Sequence, residues 1–374
     1  MGVSRDMEND DISRFGVALL QLLEEAATNS SYKYALLMAL TDAATESVGE
    51  SGGPRGSVTT EELARRVIDL YWPQSQPWPY LDSGPSVLKA LDSKGQSIVD
   101  LIIAARDGLR QRATPLEVMN RAPAQWSQLL NQVEEILIRY PIPLLQRVGS
   151  GRVNLLFDPE AWPLKGKGLP LAKYFRSRRS GGGGFDNRVL FNGDAELRLA
   201  QLGPLLRPLI MERWARFTRR ANALTGKHSL EDFLFGADRV SLNEARGPLR
   251  ALQDRCCFYC GASMGPRCHV DHFIPLVRSG CNDLFNLVAA HPRCNLQKRD
   301  HLAATVHIEG WARRLEARTG DIEAIAERLN WAADPKSTRR IALSTYRLSG
   351  GLTQLWLEGK TFEPMGPDAT APLA

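Results

Sequence analysis

Cys257-Phe258-Tyr259-Cys260 and His291-Pro292-Arg293-Cys294 are two short ligand pairs separated by one spacer. A tight turn of this kind aims two soft ligands at one ion, and a second element delivers the other two. Cys257, Cys260, His291 and Cys294 would close a tetrahedron of three thiolates and one imidazole around Zn²⁺. Such a set leaves no position for substrate, so the zinc would be structural. In zinc peptides this binding contributes roughly 10–16 kcal/mol of folding free energy, which a short motif cannot draw from its own apolar core. All six cysteines of the 374-residue chain lie between Cys256 and Cys294, and Cys256, Cys268 and Cys281 fit neither pair and read as free thiols.

Harder donors lie between and just after these pairs. The Asp271 carboxylate and the Asn295 amide oxygen suit Mg²⁺ or Mn²⁺, which keep several waters and take one or two protein ligands plus phosphate oxygens. His272 adjoins Asp271 and is a natural general base, because its unperturbed pKa lets it accept a proton near neutrality. Lys298 and Arg299 offer charge for phosphate contact, and His269 reads as support for the strand rather than as a ligand. Positioning these groups requires a strand over 269–274, a turn over 278–283, a returning strand over 284–289 and a helix opened by Pro292.

Together, Cys257-Phe-Tyr-Cys260, His269-Val-Asp271-His272-Phe-Ile-Pro275, Asn286-Leu-Val and Cys294-Asn295-Leu-Gln-Lys298 resemble the HNH nuclease family in its zinc-stapled ββα-metal form, of the bacterial multidomain type. The resemblance implies an endonuclease that hydrolyses DNA phosphodiester bonds with one metal ion, and by analogy a place in restriction or anti-phage defence. It makes His272 the base for the attacking water, gives Asp271 and Asn295 the catalytic ion, and casts Asn286 as the residue that orders the loop and orients the histidine. Two positions depart from the commonest pattern: Asn295 stands for the final histidine, and His291 stands for a cysteine of the second zinc pair. Two alternatives stay open: a zinc-stabilised DNA-binding or regulatory protein that does not cut, and a nuclease acting on RNA.

The rest of the chain reads as scaffold and targeting surface. Apolar spacing predicts helices over 14–27, 32–46, 61–71 and 124–140, with Thr59 and Glu62 placed as a capping box for the third. Apolar runs on both sides of Gly149-Ser150-Gly151-Arg152 predict a hairpin. Helices closed by a hairpin fit a winged-helix-like DNA-targeting module or an ordinary helical domain with a terminal hairpin. Lys165, Lys167, Lys173, Arg176, Arg178, Arg179 and Arg188 face one acidic residue, Asp186, around a run of four glycines. That one-sided charge suits DNA backbone contact, with Arg176, Arg178 and Arg179 at its centre. A helix over 196–223 should bend at Pro204 and Pro208, with Trp214 and Phe217 in a core.

The fold expected is therefore α+β, a mainly helical, winged-helix-like amino-terminal region followed by a ββα-metal nuclease core embedded in helices. Its parts are 1–160 (helical targeting domain), 161–195 (basic linker), 196–254 (helical connector), 255–305 (nuclease core) and 306–374 (helices and a disordered tail from 364). The net charge of +5 points weakly to a polyanionic partner. No apolar run approaches the roughly 20 residues of a membrane span, and the first residues lack a signal-peptide core, so the cytoplasm is the expected compartment. A homo-oligomer remains open.

Overall fold

Short polar residues followed by proline or acids mark many helix starts in this chain, and most of them cap the helices they precede. The computed structural model describes residues 2–24, 30–50, 53–81, 84, 86–91, 96–158, 187–226, 228–236, 239–350 and 352–374. Two compact units divide the chain: Met1–Ala44 with Arg55–Gly236, and Thr45–Pro54 with Ala237–Ala374. The boundary after Gly236 falls inside the segment read as a connector.

The first unit carries α1 (Gly2–Glu24), α2 (Tyr32–Val48) as far as Ala44, β1 (Ser57–Thr59), α3 (Thr60–Tyr71), β2 (Pro77–Trp78) and β3 (Ser86–Val87). It continues with α4 (Ile98–Ala105), α5 (Pro115–Arg121), α6 (Pro123–Arg139), α7 (Pro141–Leu144), β4 (Arg147–Val148), β5 (Gly151–Arg152), β6 (Arg188–Leu190), α8 (Ala195–Ala221) and α9 (Leu230–Phe235). The Thr59 hydroxyl accepts from the Glu62 N–H at 3.1 Å and starts α3. A reciprocal Ser97–Asp100 box starts α4, a helix that the apolar pattern did not reveal. The expected hairpin exists but is two residues a strand, and its base is organised by buried Gln146, whose amide bonds the backbone of Leu155, Leu156 and Phe157. The α8 helix runs through both Pro204 and Pro208. Its Trp214 is fully buried, stacks obliquely near Tyr71 at 4.7 Å and donates to Gln74. Phe217 is buried too, so both aromatics serve the core as expected.

The second unit holds α10 (Arg239–Leu252), β7 (His269–His272), α11 (Leu276–Ser279), β8 (Leu287–Ala290), α12 (Pro292–Lys298), α13 (Thr305–Ala317), α14 (Thr319–Leu329), α15 (Pro335–Leu348), β9 (Gln354–Glu358) and β10 (Thr361–Pro364). Strands β7 and β8 pair antiparallel, with Asp271 opposite Val288 and His272 opposite Leu287. The second strand starts later than its apolar run suggested, because Asp283 caps a 3-10 turn over Leu284–Asn286 through the Phe285 N–H. Phe273 stacks on Trp311 at 4.9 Å in a core that also buries Phe285 and Trp356. Burying each such phenylalanine stabilises the unit by about 1.5–3 kcal/mol. Arg314 is buried beside them and donates to the carbonyls of Phe285 and Leu287, bracing the entry to β8. Burial lowers its pKa to about 10.

The tail differs from expectation. Residues 361–364 form a strand, Ala369 and Leu373 are buried in the core, and Arg339 donates to the carbonyls of Pro372, Leu373 and Ala374. Its composition hid this order: a few small apolar groups and one arginine far away in sequence hold it, with no periodicity to announce them.

Candidate functional site

The soft-ligand set converges. The turn after Cys257 is closed by Gly261 N–H donating to the Cys257 carbonyl at 2.9 Å and Cys257 N–H donating to Ala262 at 2.9 Å. Gly261 sits at φ +68°, the left-handed region where a side chain is strained. The second pair straddles the end of β8 and the start of α12, where Pro292 occupies a first-turn position. The ligand atoms of Cys257, Cys260, His291 and Cys294 all lie within 4.8 Å of one another, the one such group among the described residues. Cys260 Sγ is 3.3 Å from His291 Nδ1, and the other ring nitrogen, Nε2, lies 3.2 Å from the Ser263 carbonyl. A carbonyl at one ring nitrogen fixes the imidazole so that the other faces a metal, and three thiols with one imidazole suit zinc. Burial would raise the Cys260 thiol, but the Ala262 N–H, His291 and the neighbouring thiols outweigh it and bring it down to about 7. Burial and the Cys257 and Cys260 thiols push Cys294 up to about 12. Cys256 Sγ faces the Asp254 carbonyl, Cys268 is buried, and burial pushes Cys281 up to about 12, so all three stand outside the cluster.

Strand alternation places His269 and Asp271 on one face of β7 and Val270 and His272 on the other. Helix α12 meets the first face one turn at a time. Asn295 Nδ2 lies 3.1 Å from His269 Nδ1, and Lys298 Nζ lies 3.1 Å from Asp271 Oδ2. His269 is thus a hydrogen-bonding partner of Asn295. The Tyr259 hydroxyl donates to the same Asp271 oxygen at 2.5 Å, and burial together with the Asp271 charge raises its pKa well above the usual phenol value. These contacts engage Oδ2 of Asp271 and Nδ2 of Asn295. Asp271 Oδ1 and Asn295 Oδ1 take no hydrogen bond among the described residues, and two uncommitted hard oxygens fit a divalent cation.

His272 is half-buried at the end of β7, and its Nε2 lies 2.8 Å from Asn282 Oδ1. An amide oxygen at that distance assigns the proton to Nε2 and leaves Nδ1 basic. Burial lowers the His272 pKa more than Asn282 and Asp271 raise it. Asn282 is itself fixed by Trp331, whose indole donates to its carbonyl at 2.7 Å. Neither residue gave a signal in the sequence, since both act from loops brought in by tertiary packing. Asn286 is fully buried; it accepts from Ile274 N–H and donates to the carbonyls of Ile274 and Cys281, pinning the turn that follows His272.

Residues 257–301 match the HNH endonuclease family model. The matched HNH segment runs from the first zinc-pair cysteine through β7, β8 and α12. HNH domains are generally nucleases, so the match supports a nuclease activity in general. A search of curated proteins found no match to the chain.

Two basic residues of the HNH segment part company. Lys298 was expected to meet phosphate, but it is 0% exposed; its ammonium is committed to Asp271 and to the His272 carbonyl at 2.9 Å. Arg299 follows it at the end of α12, exposed and at φ +49°, a costly conformation for a non-glycine residue. Arg176, Arg178 and Arg179 lie outside the described residues.

Proposed function

We propose that the protein is a metal-dependent endonuclease that hydrolyses DNA phosphodiester bonds, with His272 as general base and Asp271 and Asn295 as the ligands of one Mg²⁺ or Mn²⁺. The observation that carries this reading is the pair of uncommitted oxygens on Asp271 and Asn295, with a histidine next along β7 whose pKa burial lowers. When bound, the ion supplies charge stabilisation at the scissile phosphate and the leaving oxygen. The chain's own residues do the rest. His272 Nδ1 takes a proton from the attacking water, while the Asn282 oxygen holds the ring through Nε2 and steadies the cation that forms. Asn286 keeps the following turn in register, so that the base stays where the strand places it. Cys257, Cys260, His291 and Cys294 would hold zinc, which would tie the turn, β8 and α12 into one support. Arg299 and the segment bearing Arg176, Arg178 and Arg179 contact the nucleic-acid backbone and lend the net positive charge a direction. The helical first unit, with its small hairpin, serves as the targeting module.

Matched DNA and RNA duplexes and single strands, incubated with the zinc-loaded protein and Mg²⁺, test the substrate. Cleavage of DNA with RNA untouched supports the proposal. Cleavage confined to RNA, or binding of DNA without cleavage, would replace it.

A further inference from the structure

The carboxylate of Asp271 is gripped from two sides, by a residue of the zinc turn and by a lysine that solvent does not reach. Tyr259 lies between Cys257 and Cys260, and its hydroxyl donates to Asp271 Oδ2 at 2.5 Å. Lys298 Nζ is 3.1 Å from that oxygen, 2.9 Å from the His272 carbonyl and 5.9 Å from the centroid of the Tyr259 ring. Tyr259 is 8% exposed and Lys298 0%. A buried ammonium needs a counter-charge and acceptors, and these three neighbours supply them. Both donors use Oδ2, so turning that oxygen outward would leave the buried Tyr259 hydroxyl unpaired and would take the counter-charge from the buried Lys298 ammonium, which keeps only the His272 carbonyl.

We infer that Tyr259 and Lys298 are positioning residues that make Asp271 a one-oxygen ligand through Oδ1, and that Tyr259 couples zinc binding at Cys257 and Cys260 to divalent-ion binding at Asp271. The inference rests on Asp271 being a ligand, as proposed above, and adds what holds it. Zinc closes the turn that carries Tyr259, and the turn sets where its hydroxyl meets the carboxylate. Linkage makes the effect mutual: an ion held at Asp271 favours the same closed turn and so retards zinc loss. Groups that orient a metal ligand typically change metal affinity by about 10–100-fold when removed.

The test uses the full chain, zinc-loaded, with Mn²⁺ binding followed by the free-ion electron paramagnetic resonance signal and zinc content by elemental analysis. Tyr259→Phe should keep its zinc and bind Mn²⁺ about tenfold more weakly. In the unaltered protein Mg²⁺ should slow zinc transfer to a zinc-selective chelator, and in Tyr259→Phe it should not. Unchanged Mn²⁺ affinity in Tyr259→Phe would overturn the inference. So would zinc transfer from the unaltered protein that ignores Mg²⁺, a measurement that needs no variant to fold. Asp271→Ala separates the two layers: if it binds Mn²⁺ normally, the ligand assignment falls and this inference with it. If Asp271→Ala loses Mn²⁺ while Tyr259→Phe does not, only the positioning role and the coupling fall.

Discussion

At His272, burial and hydrogen bonding act in opposite directions, and burial wins. The folded-state pKa therefore lies below the unfolded value of about 6.5, so the neutral form is the one folding favours. The stability this gives is fully present above the unfolded pKa and is lost as pH falls through the folded one. The same neutral form is the one the proposed general base requires. We expect kcat/KM for cleavage to stay level through neutrality and to fall only below about pH 6.5. A limb centred above pH 7 in the pH–rate profile would contradict the assignment. Lys298 and Arg299 are adjacent in sequence and opposite in role. Lys298→Ala should cost about 3–5 kcal/mol in denaturant unfolding, because it strands the Asp271 charge in a buried site. Arg299→Ala should leave stability within about 0.5 kcal/mol and lower the salt slope of DNA binding by about one. The ligand types were readable from the sequence because softness and spacing are local properties. The burial of Lys298 was not, since a lysine on a short helix reads as surface until a strand elsewhere places a carboxylate beside it.

The ββα elements were readable for a related reason. Alternation over β7, an apolar run before β8 and a proline opening α12 each follow from the local chain; β7 ends at His272 rather than at residue 274, and β8 starts at Leu287 rather than at residue 284, to accommodate the Asp283 cap. Elements set by long-range contacts escaped notice. The β9–β10 hairpin is held by the buried Trp356 and the carboxyl-terminal turn by Arg339, neither of which leaves a periodic trace. At this scale the fold brings Cys257, Cys260, His291 and Cys294 together as a cluster that could bind zinc, and the proposal makes that zinc the support of the HNH segment. Cys257→Ser should abolish zinc binding and unfold the segment, seen as lost zinc content and lost near-ultraviolet dichroism. Replacing Cys256 by Ser, or Cys268 and Cys281 by Ala, should leave zinc content at the wild-type level. Zinc loss from any of these three would mean that the ligand set has been drawn wrongly.

In the whole molecule, the HNH match covers only part of the second unit, and the helical first unit lies outside it. Its longer helices, such as α3 and α6, were visible in the sequence because capping and amphipathic spacing are short-range, whereas the short α4, α5 and α7 were not. The winged-helix-like reading leaned on a hairpin that proves to be two residues a strand. Changing Arg176, Arg178 and Arg179 together to Ala should weaken DNA binding uniformly across sequences and flatten its salt slope by up to about 0.9 for each phosphate no longer neutralised. Cleavage of saturating DNA should be unchanged; a slowed chemical step would move those arginines into the active site. The central claim is that a divalent ion and a neutral histidine act together on DNA within a zinc-held frame. Nicking of supercoiled plasmid by zinc-retaining protein, before and after Mg²⁺ is added, measures this for the unaltered chain and for His272→Ala. We expect nicking only with Mg²⁺, and a loss of about 100-fold or more in His272→Ala with zinc content unchanged. Nicking that needs neither the ion nor His272, or none with both present, would contradict the account.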